Sequence, residues 1–229
     1  MVKQIGNFPH RGLTAFDPTG LAPVVKEVER DDIALNVSLH RHKAGGRHLA
    51  YQERGMAVNA IVKYGSAVLR EKATPVAEVD EAIRTLVGDM LASMYAKNGV
   101  GLAAEQIGRT EAVCVIDVPA EQACGVKMPL ALINPRIEEA EGEQVGQEGC
   151  LSFPDVYINV RRAERVKATY LDPDGNAQAV EATGLLSRAI QHEIDHLNGV
   201  LLVDHMSPVQ KVANAGKLKR MKRGVQRGD

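Results

Sequence analysis

The chain has 229 residues, with 28 Lys and Arg against 29 Asp and Glu, a formal net charge of −1. Hydrophobic residues at 45% and charged residues at 25% are ordinary for a globular protein, and the balanced charge argues against a general polyanion binder. The lack of Trp, with three Phe and five Tyr, leaves few stacking platforms for nucleic acid, so no DNA partner is expected.

In chain order, residues 1–55 stand apart. They hold four of the seven histidines (His10, His40, His42, His48), scattered Gly and Pro, and no sustained periodicity. Six acidic residues and one serine, Ser38, fit a transit peptide poorly. The segment reads as an extension of uncertain order ahead of a domain that opens at Met56. His40-x-His42 lacks an acidic or cysteine partner close by and reads as surface. The segment shows no apolar core of a secretory signal, and no run approaches the 18 or so apolar residues of a membrane span. The three sparse cysteines, Cys114, Cys124 and Cys150, make a poor disulfide framework and fit a reducing, cytoplasmic compartment. Cys114 and Cys124 belong to no motif and read as small core residues or bystanders.

From Met56 the patterning sharpens. Ile83, Leu86, Val87, Met90, Leu91 and Met94 recur at helical spacing, which predicts an amphipathic helix over 80–96. Glu111–Val118 and Leu130–Ile133 predict strands, the second ended by Asn134-Pro135. Arg165–Leu171 and Gln178–Thr183 flank Asp172-Pro173-Asp174-Gly175, a turn signal, and predict a hairpin. Leu185–Asn198 predicts a helix closed by Gly199. Strands dominate the middle and a helix follows. This suggests an α+β fold of mostly antiparallel strands around one central helix. The expected organisation is an extension over 1–55, a catalytic domain over 56–208 and a basic, solvated tail over 209–229. That tail carries seven basic residues, Lys211, Lys217, Lys219, Arg220, Lys222, Arg223 and Arg227, against Asp229.

The strongest chemical signal is His192-Glu193-Ile194-Asp195-His196. Histidines at i and i+4 share a helix face and can reach one metal ion, and the intervening glutamate can move protons on a bound water. A catalytic site needs a third protein ligand and one open position. A histidine six residues after the second is absent, since Leu202 stands there, and no glutamate follows Glu193. Asp204, His205 and Cys150 remain as candidates. A Cys150 thiolate would suit Fe(II), Zn(II) or Co(II), and Gly149 beside it allows close backbone approach. Gly99 and Gly101 would let an extended peptide lie along Gly99-Val100-Gly101 in strand fashion. Leu185, Arg188 and His192 fall on one helix face. Leu185 and the stem of Arg188 could wall a side-chain pocket, with a solvent-facing arginine as the alternative.

Three motifs together resemble the peptide deformylase family. They are Gly99-Val100-Gly101-Leu102-Ala103-Ala104-Glu105-Gln106, Glu148-Gly149-Cys150-Leu151-Ser152 and Gln191-His192-Glu193-Ile194-Asp195-His196. The likeness covers about Met56 to Lys211, and no motif residue is missing. It implies a peptide deformylase-like fold and removal of the N-formyl group from the first methionine of nascent peptides. It implies Cys150, His192 and His196 as metal ligands. The metal implied is Fe(II), with Zn(II), Ni(II) or Co(II) able to substitute. Glu193 is implied as general acid/base, and the Gln106 side chain with the Leu151 backbone N–H as oxyanion donors. Val100, Gly101, Gly149, Leu185 and Arg188 are the expected substrate contacts, with methionine in the pocket. A contact of the basic tail with ribosomal RNA, and no membrane partner, complete the expectation.

Overall fold

The structure is a computed structural model and describes residues 55–227; the earlier segment, with His40 and His42, lies outside the described residues. Helix α1 (Glu81–Ala96) begins where the Asp80 carboxylate accepts the Ile83 N–H at 2.9 Å, a side-chain N-cap. It buries the predicted stripe from Ile83 to Met94. Strands β1 (Gly101–Ala103), β2 (Val113–Ile116) and β3 (Leu130–Glu141) follow. Then come β4 (Gln144–Cys150), β5 (Phe153–Arg162), β6 (Arg165–Leu171) and β7 (Ala177–Thr183). Helices α2 (Gly184–Leu197) and α3 (Pro208–Arg227) close the chain. Every pairing between these strands is antiparallel. They form a five-stranded sheet in the order β1-β2-β3-β6-β7 and a two-stranded sheet β4-β5.

The period-two geometry of β2 explains the layering. Val113 and Val115 face α1, where they join Leu86, Met90 and Met94 in one apolar cluster. Cys114 and Ile116 face the other way and join Leu186, Ala189 and Ile190 of α2. All four β2 residues are therefore fully buried, with a helix against each face. Fully burying a side chain of this size contributes about 1.5–3 kcal/mol. Helix α2 thus lies between the large sheet and β4-β5, whose Phe153, Val156, Ile158 and Val160 build a third cluster with Leu201 and Leu202. The predicted α+β class, with a central helix, is the fold observed. Asn198 caps α2 and Gly199 follows at φ +71°, as its sequence predicted.

One local expectation needs correction, and two features go beyond what the sequence predicts. The strand expected to stop at Asn134-Pro135 runs on to Glu141 through a register shift. Asn134 takes φ +53°, and its side-chain amide pairs with both the N–H and the C=O of Val76 at 2.8 Å, like a neighbouring strand residue. Strands β4 and β5 lie where the sequence predicts no element. The expected solvated tail takes the form of the 20-residue helix α3, none of whose residues is buried. Its start is a reciprocal cap, in which Ser207 N–H donates to Gln210 Oε1 at 2.8 Å and Gln210 N–H donates to Ser207 Oγ at 3.2 Å. Leu218 and Met221 pack against the third cluster, and the Lys222 ammonium lies 5.1 Å from the Tyr64 ring centroid.

Candidate active site

The last residue of β4 and one face of α2 meet at the centre of the molecule. Cys150, His192 and His196 are all buried, and their ligand atoms lie within 4.8 Å of one another. Cys150 Sγ is 3.2 Å from His196 Nε2. Burial alone would push the thiol pKa up, but the charges of His196 and His192 outweigh it and bring it to about 5. A thiolate and two imidazoles on one centre are a donor set suited to a divalent transition metal. His192 Nδ1 is engaged by Glu148 Oε2 at 2.9 Å, which leaves Nε2 for the centre.

Glu148 is itself held on every side. Arg162 Nε donates to Oε1 at 2.9 Å and Nη2 to Oε2 at 3.1 Å, while Arg188 Nη1 donates to Oε1 at 2.8 Å. The carboxyl is fully buried. Burial would raise its pKa, yet the His192 and Arg162 partners hold it well below the usual carboxylate range. Arg162 also bonds Asp195, which in turn meets His205 Nε2 at 2.7 Å.

The opposite flank of α2 is built differently. Glu193 is buried, and its Oε2 has no hydrogen-bond partner among the described residues. Burial pushes its pKa up to about 7, against the pull of the two histidines. A carboxyl poised there can take and return a proton near neutral pH. Gly101 makes room for it, since a Cβ at that position would come within 2.1 Å of Glu193 Oε1. This close approach by Glu193 is a packing reason for glycine at 101, beside the substrate strand that the sequence suggests. Glu105, 0% exposed, likewise has no hydrogen-bond partner for either carboxyl oxygen among the described residues, and burial pushes it up to about 8. His196 Nδ1 is also unpartnered.

Gln106 lies in the 3-10 turn Ala104–Ile107 that follows β1. Its Oε1 accepts the Ala103 N–H at 2.9 Å, which fixes the amide orientation and aims Nε2 at Cys150 Sγ (3.3 Å) and Ser152 Oγ (3.2 Å). Leu151 occupies the turn between β4 and β5, half-buried, directly after Cys150.

The remaining candidates fall as follows. Val100 and Gly101 are half-buried at β1, which is an edge strand, and the Val100 carbonyl accepts the Asp117 N–H at 2.9 Å. Gly149 is buried in β4. Leu185 is partly buried against the α2 cluster. Arg188 is 4% exposed, so the solvent-facing alternative is overturned; its guanidinium reaches Glu148 and the Val160 carbonyl (3.0 Å) instead. Asp204 and His205 are not brought to the centre: Asp204 pairs with Arg70, and His205 with Asp195. Glu148, Glu105 and Asp195 stand inside the quoted motifs, yet the sequence assigns them no role. Arg162 lies outside the motifs; the inward positions of β5 alternate as Val156, Ile158, Val160 and Arg162, and that alternation is its signal.

The sequence profile of the family described as Polypeptide deformylase matches residues 58–212. A peptide deformylase of Alkalilimnicola ehrlichii is 46% identical over 168 residues, covering 73% of this chain and 93% of that protein. Among solved structures, a peptide deformylase from Legionella pneumophila is 40% identical with a TM-score of 0.67, covering 75% of this chain and 99% of that one. A Synechococcus elongatus peptide deformylase in complex with actinonin is 43% identical with a TM-score of 0.63, covering 69% and 86%.

Proposed function

The chain belongs to the polypeptide deformylase family, hydrolases that remove the formyl group from N-formylmethionyl peptides, and from that premise we propose how its residues divide the work. The supporting observation is the buried triad Cys150, His192 and His196, with a proton-poised Glu193 beside it. When bound by that triad, a divalent metal supplies Lewis-acid activation of water at neutral pH. Glu193 takes the proton from the attacking water and later delivers it to the departing methionyl amine. The Gln106 Nε2–H and the Leu151 N–H donate to the oxygen that becomes negative in the tetrahedral intermediate. The peptide adds as a strand beside the free edge of β1, along Val100 and Gly101, with Gly149 opposite. Leu185 and the Arg188 stem wall the methionine pocket.

The native metal is Fe(II), with Zn(II), Ni(II) or Co(II) able to replace it. The catalytic unit is 56–208, at work in the cytoplasm where nascent chains emerge. Among the described residues no helix is long and apolar enough to cross a membrane. The exposed Lys211, Lys219, Arg220, Arg223 and Arg227 of α3 offer positive charge to ribosomal RNA. Neutralising Lys219, Arg220 and Arg223 should weaken ribosome co-sedimentation at low salt, and an unchanged sedimentation would refute that contact. Truncation is a poorer probe, because Leu218 and Met221 are packed.

The deciding experiment is formate release from a formyl-Met tripeptide by protein prepared without oxygen, with metal analysis. Activity that falls on exposure to air and returns with Fe(II) supports the assignment. Cys150→Ser should lose both metal and turnover. Retention of both would remove Cys150 from the ligand set.

A further inference from the structure

The segment Ile61–Tyr64 belongs to none of the three motifs, yet it binds two of them together. The Val62 N–H donates to the Gln106 carbonyl at 2.8 Å, and the Tyr64 N–H donates to the Ser152 carbonyl at 3.0 Å. Between these bonds, Lys63 Nζ donates to the Leu151 carbonyl at 2.9 Å. One short stretch therefore ties the turn that carries Gln106 to the turn that carries Leu151.

Lys63 is half-buried, and no carboxylate among the described residues pairs with it. Burial first, then the nearby Lys97, pull its pKa below the usual lysine value, while the Cys150 charge works the other way. Holding an ammonium in that position costs free energy, and its one hydrogen bond goes to the residue after Cys150. Leu151 is constrained from other sides as well. Its Cδ1 would lie 2.9 Å from a Cβ at Gly99, and the Ser152 hydroxyl that follows accepts from Gln106 Nε2 at 3.2 Å.

We propose that Lys63 is a positioning residue for the oxyanion hole: its ammonium anchors the Leu151 carbonyl and so restrains the Leu151 backbone on the far side of the Cα from its N–H, while the Val62 and Tyr64 bonds set the spacing to Gln106. The inference rests on Leu151 and Gln106 being the oxyanion donors. A donor aimed at charge that exists only in the transition state affects turnover more than ground-state binding. Lys63→Met keeps the apolar stem and removes the donor, whereas Lys63→Arg keeps a cationic donor.

The test uses the full-length, metal-loaded protein and formate release from a formyl-Met tripeptide, with metal content and Tm measured for each variant. Lys63→Met should lower kcat about ten- to a hundredfold, as small misplacements of reacting groups do. KM should change by less than about twofold. Metal content and Tm should match the parent, and Lys63→Arg should recover most of the turnover. Parental kcat in Lys63→Met overturns the proposal. So does a loss that travels with metal or Tm, or an equal loss in Lys63→Arg. Gln106→Ala serves as the reference: if it keeps parental kcat, the oxyanion assignment itself fails, and the role of Lys63 with it.

Discussion

The two flanks of α2 bury carboxyls equally deeply and treat them in opposite ways. On the β4-β5 side, Glu148 is fully buried but held by Arg162, Arg188 and His192, and it stays ionised. On the β1 side, Glu193 and Glu105 are just as hidden but carry unpartnered oxygens, and burial drives both upward, to about 7 and about 8. Depth alone therefore does not set a carboxyl's charge. Partners do, and on the proposed roles the helix separates a side that would orient metal ligands from a side that would move protons.

The sharpest way to break this contrast is Glu193→Gln, which leaves shape and removes proton transfer. Turnover should fall by about 10²–10⁴-fold with the fold intact, measured by formate release and Tm. Full turnover would show that the unpaired flank is idle. Next comes Glu148→Gln on the paired flank. It leaves two buried guanidiniums short of a counter-charge, so stability should drop by about 3–5 kcal/mol in denaturant titration. Metal affinity should drop about 10–100-fold as His192 loses its anchor. A loss of kcat alone, with stability kept, would contradict the division.

Glu105→Gln tests the proton content of the β1 side. The carboxyl sits at about 8 in the fold against 4.5 for the free group, so the native state holds the extra proton between those values. Its contribution to stability is full below the free value and is lost as pH rises towards 8. The amide variant should therefore gain Tm relative to the parent at pH 8 and gain least at pH 5. An equal change at both would refute a protonated Glu105. The smallest effect is expected at Arg161, one residue from Arg162 but on the outer face of β5. Its pair with Glu143 at 2.6 Å joins side chains 71% and 51% exposed. Arg161→Ala should cost less than about 1 kcal/mol by the same titration.

Much of this was legible in the sequence, for reasons that differ by element. Helices α1 and α2 announce themselves by 3.6-residue periodicity plus Asp80 and Gly199 at their ends. The β6-β7 hairpin announces itself by its Asp-Pro-Asp-Gly turn. The proposed ligand pair on α2 follows from spacing alone. Cys150 does not, because its strand, Gln144–Cys150, holds two glycines and polar residues and gains its conformation from pairing with β5. Strand β5 did carry a readable alternation over Asp155–Val160. Ser207-Pro208 with Gln210 was likewise a readable start for α3. The ion-pair web around Glu148 was not readable, since Arg162, Arg188 and Glu148 come from β5, α2 and β4 and meet only after folding.

The missing Cβ at Gly101 has a genetic consequence. A Cβ at position 101 would claim volume that the Glu193 side chain fills, so position 101 cannot be enlarged independently of residue 193. In a library that randomises both, a side chain at 101 can be housed where residue 193 is shortened or its carboxylate is turned away, and either change withdraws the proposed proton carrier from its place. Single substitutions at 101 should thus lower turnover as loss of Glu193 does with metal content kept, and shorter residues at 193 should relieve any loss of Tm without restoring turnover.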